Sequence, residues 1–170
     1  SPADVIEMLL DGNRRYVEGC CTATNPPEAR PALAAGQSPV AGVIRCVDSR
    51  VAPEIVFDQP LGTLMVCGVA GNIPTVEVIA SMEYGVGVLG MKLVVVMGHA
   101  GCGMVDAAIR HRADPEELPG SLPGLARQVA LPDPSVCDLD DLSNRGLAER
   151  HNADHGVDLI LERSPLIAEA

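Results

Sequence analysis

Three short apolar runs, separated by stretches with a helical pattern, constrain the fold of this chain most strongly. The runs cover residues 40–46, 63–67 and 92–97, and each has the length and aliphatic character of a buried strand. Between the second and the third, residues 75–89 carry apolar side chains at the spacing of a helix packed on a sheet. Alternating strands and helices predict an α/β fold with a central, mostly parallel sheet flanked by helices.

Further helices are predicted on both sides of these strands. Residues 3–18 form an N-terminal helical arm, residues 104–112 follow the third strand, and residues 139–162 and 165–170 close the chain. Asp138 or Asp140 would cap the first of the last two helices, and Ser164 precedes Pro165 at the second. Residues 22–39 are rich in proline and suited to a surface loop, and the proline-rich residues 114–134 are predicted to be mostly loop. We expect residues 1–170 to form a single domain.

Charge and hydropathy exclude several classes of partner. The 12 Lys and Arg residues against 23 Asp and Glu residues give a formal net charge of -11, which disfavours nucleic acids and anionic membranes. No apolar run approaches the roughly 20 residues of a membrane helix, and residues 1–19 lack the layout of a signal peptide. We therefore expect a soluble, cytoplasmic protein with reduced cysteines and no nucleic-acid or membrane partner.

Metal-binding side chains follow two of the predicted strands. Cys46, Asp48 and Arg50 end the first strand, and His99 and Cys102 follow the third among glycines. If these strands are neighbours, two thiolates and one imidazole converge as a set suited to tetrahedral zinc. Three protein ligands leave one position open, as in catalytic zinc sites. Asp48 could close it as a fourth ligand, or it could accept a proton from water bound there.

Each of these residues also has a purely structural interpretation. A buried cysteine such as Cys46 is often only a small hydrophobic side chain, and Asp48 with Arg50 is often only a salt bridge. The combination at the ends of two parallel strands favours the chemical interpretation, because ligand sites of parallel sheets form at such strand ends. In that interpretation Arg50 orients the Asp48 carboxylate through two parallel hydrogen bonds.

The sequence resembles the β-class carbonic anhydrases in five segments. They are residues 46–50, Phe57-Asp58-Gln59, Ala70-Gly71-Asn72, residues 81–90 and residues 99–103. The resemblance implies that Cys46, His99 and Cys102 bind the zinc ion and that Asp48 and Arg50 form the catalytic dyad. It places four further residues at a carbon dioxide pocket across a dimer interface: Gln37, Phe57, Tyr84 and, through its backbone N–H, Gly103. Core packing of Phe57, helix packing of Tyr84 and a loop cap by Gln37 remain alternatives.

The activity that the resemblance implies is reversible hydration of carbon dioxide to bicarbonate and a proton by zinc-bound hydroxide. It further implies one Zn²⁺ per chain, a homodimer or homotetramer, and a last strand or strands of the family that this sequence lacks. Two alternatives stay open. The same zinc site could hydrolyse carbonyl sulfide or carbon disulfide, or it could be a closed structural zinc site in a non-catalytic protein.

Overall fold

A parallel sheet of three strands occupies the centre of the structure, a computed structural model that describes residues 1–170. The strands are β1 (Ala41–Arg45), β2 (Leu64–Gly68) and β3 (Leu93–Met97), in the order β2-β1-β3. Because both pairings are parallel and in register, Arg45 lies beside Gly68 and Met97, and all three strands end at one edge. The structure confirms the α/β fold with a parallel sheet.

Eight helices surround the sheet and confirm the flanking layers and the N-terminal helical arm. They are α1 (Pro2–Glu18), α2 (Arg30–Ala35), α3 (Pro53–Val56), α4 (Val76–Gly87), α5 (Gly103–Arg110), α6 (Leu122–Ala126), α7 (Arg145–Arg163) and α8 (Pro165–Ala168). Ser1 starts α1 with a capping box, and the Ser164 hydroxyl accepts the N–H of Ile167 at the start of α8. None of these helices combines the length and the apolar character that crossing a membrane requires.

The core lies on both faces of β1. Ile44 packs with Met82 of α4 and Ile160 of α7, whereas Ala41 packs with Val5 and Leu9 of α1. A third and larger cluster surrounds α5 and α6 and includes Cys46, which follows β1, and Cys102, which lies in the turn after β3. The sheet edge where the strands end is therefore held between α5, α7 and the loops after the strands.

Two predictions of local structure were wrong. Residues 22–39, predicted as a loop, contain the short helix α2, whereas residues 114–134 are mostly loop as predicted and contain the short helix α6. The long helix begins at Arg145 rather than at residue 139, because aspartate side chains accept nearby backbone N–H groups and form turns before it. Asp138 accepts the N–H of Asp140 at 3.0 Å and Asp141 accepts that of Ser143 at 2.9 Å, bonds that compete with helix formation. Neither Asp138 nor Asp140 caps α7, and Asp140 instead pairs with Arg112.

Gly12 allows α1 to lie directly on α3. A Cβ atom at this position would lie 1.8 Å from the carbonyl oxygen of Phe57, which is backbone and has no rotamer to change. The contact brings Asn13 and Arg15 within hydrogen-bonding distance of Val56 and Asp58. A glycine that appears unfavourable within a helix is thus required by the packing of the arm.

We predict that Gly12→Ala lowers the free energy of unfolding by about 1–3 kcal/mol, because α1 must move away from α3. A Gly146→Ala variant is the matched control, since a Cβ at this helical glycine meets nothing within 4 Å. Urea denaturation of both variants measures the difference. Equal stability of the two variants would show that the close approach at Gly12 is unimportant.

Candidate metal centre

Three side chains with soft ligand atoms converge where β1 and β3 end. The Sγ atoms of Cys46 and Cys102 and a ring nitrogen of His99 all lie within 4.8 Å of one another. The two sulfur atoms are 3.9 Å apart. Two thiolates at about 2.3 Å from a tetrahedral zinc ion would be separated by about 3.8 Å, so the pair has the required spacing.

His99 has a buried ring nitrogen that is free to bind a metal. Its side chain is 7% exposed, and its Nε2 atom is buried without a hydrogen-bond partner. Its Nδ1 atom lies 3.1 Å from the carbonyl oxygen of Ala100. A proton on Nδ1, donated to that oxygen, leaves the Nε2 lone pair free, which is the state that a metal requires. The buried, unpartnered nitrogen and the two thiols fit zinc.

The surroundings shift the pKa values of the two thiols in opposite directions. Burial opposes ionisation of Cys46, but the Gly71 N–H, which donates to its Sγ at 3.3 Å, and the nearby His99 side chain, Asp48 backbone and Cys102 thiol outweigh it and lower its pKa. Burial raises the pKa of Cys102, and the negative charge of Cys46 raises it further. A cation between the two sulfurs removes that repulsion, so metal binding is coupled to release of the Cys102 proton.

Asp48 is held beside this group by Arg50. The guanidinium donates from Nε to Oδ1 at 2.9 Å and from Nη2 to Oδ2 at 2.7 Å, and the Arg50 backbone N–H donates to Oδ1. Nη2 also donates to the carbonyl of Gly101, which lies in the chain between His99 and Cys102. These bonds hold the pKa of Asp48 well below its usual range. Its Oδ2 is 4.0 Å from His99 Nε2, so an ionised carboxylate faces the ligands.

The four residues predicted at the substrate pocket belong to four different segments of the fold. Gln37 is exposed in the loop before β1, and Phe57 packs beside Val5 and Leu9 in the core. Tyr84 is 48% exposed on α4, and Gly103 begins α5 with open space on its Cα. Of the two clefts beside the ligands, one is lined by His99 and the other by Cys102 and Gly103, and Gln37, Phe57 and Tyr84 line neither.

Sequence reasoning missed the residues that support the ligands. Arg45 donates to the carbonyls of Cys46 and Asp48, and Gly71 donates to Cys46. On α7, Glu149 accepts the N–H of Cys102 and Asn152 donates to the Gly71 carbonyl. The sequence pattern could have indicated these two polar residues, because they lie on the buried face of the helix. That face also contains Ala148, Gly156 and Ile160.

Comparisons with known proteins agree with this geometry. Residues 41–170 match a family described as carbonic anhydrase. Carbonic anhydrase 2 of Mycobacterium tuberculosis is 38% identical, over 99% of this chain and 82% of its own length. The β-carbonic anhydrase of Coccomyxa, solved with acetazolamide, is 27% identical, with a TM-score of 0.59 over 95% of this chain and 73% of its own.

A further solved structure is similar in fold. It comes from Sordaria macrospora and is described as one of two tetrameric β-carbonic anhydrases. It superposes with a TM-score of 0.68 at 23% identity, over 98% of this chain and 85% of its own. The likeness therefore extends along nearly the whole of the present chain, including the α1 arm that precedes the family match.

Proposed function

The chain belongs to the β-class carbonic anhydrase family, and on that premise we propose that it hydrates carbon dioxide reversibly to bicarbonate and a proton. One zinc ion per chain would be held by Cys46, His99 and Cys102. Two observations carry the proposal: a ring nitrogen of His99 lies within 4.8 Å of the two cysteine sulfurs, and the His99 Nε2 atom is buried without a hydrogen-bond partner. Zinc bound there supplies a Lewis acid that lowers the pKa of a water molecule into a useful range.

Asp48 orients the attacking water in this proposal. Its depressed pKa keeps the carboxylate ionised at neutral pH, so it accepts a hydrogen bond and does not donate one. Arg50 fixes the direction of the carboxylate, because a two-bond contact between planar groups allows little rotation. The same guanidinium holds the Gly101 carbonyl and so links the water-orienting group to the turn that carries two ligands.

We propose that Gln37, Phe57, Tyr84 and the Gly103 N–H bind carbon dioxide or bicarbonate. Because the clefts of one chain bring only Gly103 near the ligands, the other three would act across an interface between two copies.

An assembly of two or four copies is proposed on independent grounds. Apolar side chains are exposed on α4, at its C-terminal end and after β1, among them Val76 at 69%, Val88 at 68% and Val47 at 54%. Covering such side chains favours association. Sedimentation velocity should find a dimer or tetramer of the 17.7 kDa chain, and a monomer at micromolar concentration would contradict the shared pocket.

One assay distinguishes carbon dioxide hydration from the two alternatives, hydrolysis of a sulfur analogue and a structural zinc site. Stopped-flow measurements on zinc-loaded protein compare carbon dioxide with carbonyl sulfide and carbon disulfide. We expect hydration of carbon dioxide to be fastest. Hydrolysis of a sulfur analogue without carbon dioxide hydration would move the substrate to that analogue, and bound zinc without any turnover would support a structural zinc site.

A further inference from the structure

We propose that Glu149 and Asn152, two buried polar residues of α7, are positioning residues that hold the two cysteine ligands ready for the metal. The inference rests on the zinc site of the proposed function. Glu149 and Asn152 are three positions apart, so their side chains share one face of the helix. Their exposed fractions are 9% and 4%, and each is hydrogen-bonded to the backbone beside a different cysteine.

Glu149 fixes the turn that carries His99 and Cys102. Its Oε1 atom accepts the N–H of Cys102 at 2.8 Å, and this is the only hydrogen bond of its side chain. The carboxylate forms no ion pair with any cationic side chain. Burying a carboxylate lowers the stability of the fold unless the group is hydrogen-bonded. The single hydrogen bond of Glu149 goes to a metal-ligand residue, which indicates a specific role. The helix also passes close to the turn, since a Cβ at Gly98 would lie 3.2 Å from that of Ala153.

Asn152 acts on the other cysteine through Gly71. Its Nδ2 atom donates to the Gly71 carbonyl at 2.8 Å, and the Gly71 N–H donates to the Cys46 sulfur at 3.3 Å. The Asn152 Oδ1 atom accepts the N–H of Ala130 at 3.0 Å, which fixes the orientation of the amide. Gly71 has a φ of 80°, a conformation that glycine adopts freely. The amide thus directs a backbone donor at the Cys46 sulfur.

One helix face therefore supports both cysteine ligands. Outer groups that orient metal ligands typically contribute about 10- to 100-fold to metal affinity or activity. If Glu149 and Asn152 have that role, their loss should weaken zinc binding in protein that is still folded. If they only stabilise the fold, their loss should lower the melting temperature without changing the metal site.

The test measures the zinc dissociation constant by chelator competition and the thiolate charge-transfer spectrum of the cobalt(II) form. We expect Glu149→Ala to weaken zinc binding by about 10- to 100-fold and to alter the cobalt spectrum. Glu149→Gln retains an acceptor for the Cys102 N–H and should restore affinity to within about threefold. Glu162→Ala, an exposed carboxylate of the same helix, is the matched control and should leave both readouts unchanged.

Asn152→Asp provides a second test that does not depend on the folding of Glu149→Ala. It preserves the acceptor for Ala130 but removes the donor to Gly71, and should weaken zinc binding by about tenfold. A variant that loses thermal stability but keeps the wild-type dissociation constant and cobalt spectrum would overturn the positioning role. Zinc binding without carbon dioxide hydration in the unaltered chain would instead overturn the proposed function and leave this inference intact.

Discussion

Cys46→Ala is expected to remove zinc and carbon dioxide hydration together. With one thiolate missing, His99 and Cys102 provide only two protein ligands, and two do not form a stable zinc site. Without zinc the pKa of water stays far above neutral, so we predict that kcat/KM falls by about 1000-fold or more. Zinc content should fall to about 0.1 per chain or less under the same dialysis. Metal analysis and stopped-flow hydration on one preparation measure both effects.

Cys67→Ala is the matched control for the loss of a thiol. Cys67 is a half-buried residue of β2 that packs against the Ile44 cluster and lies outside the ligand group. Its removal should cost about 1 kcal/mol of stability and leave zinc content and hydration unchanged. Full zinc occupancy in Cys46→Ala, or loss of zinc in Cys67→Ala, would show that the metal is bound elsewhere.

Asp48→Asn is expected to retain zinc and to hydrate carbon dioxide about 100-fold more slowly. Asparagine occupies the same space but replaces one acceptor oxygen with a donor, so it no longer orients the water correctly. Because Arg50 depresses the pKa of Asp48, the carboxylate is ionised above that low pKa and loses its charge only in strong acid. The ratio of wild-type to variant rates should therefore be constant across about pH 6 to 9.

Two results would contradict this role of Asp48. Loss of zinc from Asp48→Asn would show that the carboxylate is a fourth ligand in a closed site, as in the structural interpretation. A rate ratio that changes across neutral pH would show that Asp48 titrates there and acts as a proton acceptor. Arg50→Lys keeps the positive charge but not the two-bond contact, so it should show a smaller loss of about tenfold with zinc retained.

The strands and the convergence of the metal-binding side chains were predictable because they depend on local patterns. Apolar runs of strand length specify buried parallel strands, and parallel strands place their ends at one edge. Cys46 ends one such run and His99 follows another, so one assumption, that β1 and β3 are neighbours, was enough to bring them together. The structure confirms that pairing.

The supporting contacts were not predictable in the same way. Gly12, Glu149 and Asn152 take their importance from backbone atoms that are 45 or more positions away: the Phe57 carbonyl, the Cys102 N–H and the Gly71 carbonyl. No spacing rule relates these positions. The start of α7 was misplaced for a local reason, because the aspartates before it bond to nearby N–H groups and form turns.

Titration of metal-free protein with zinc, followed by stopped-flow hydration of carbon dioxide, tests the central claim most directly. The rate should rise in proportion to added zinc and stop rising at one equivalent per chain. One tightly bound zinc per chain with hydration no faster than in buffer would contradict a catalytic centre at Cys46, His99 and Cys102.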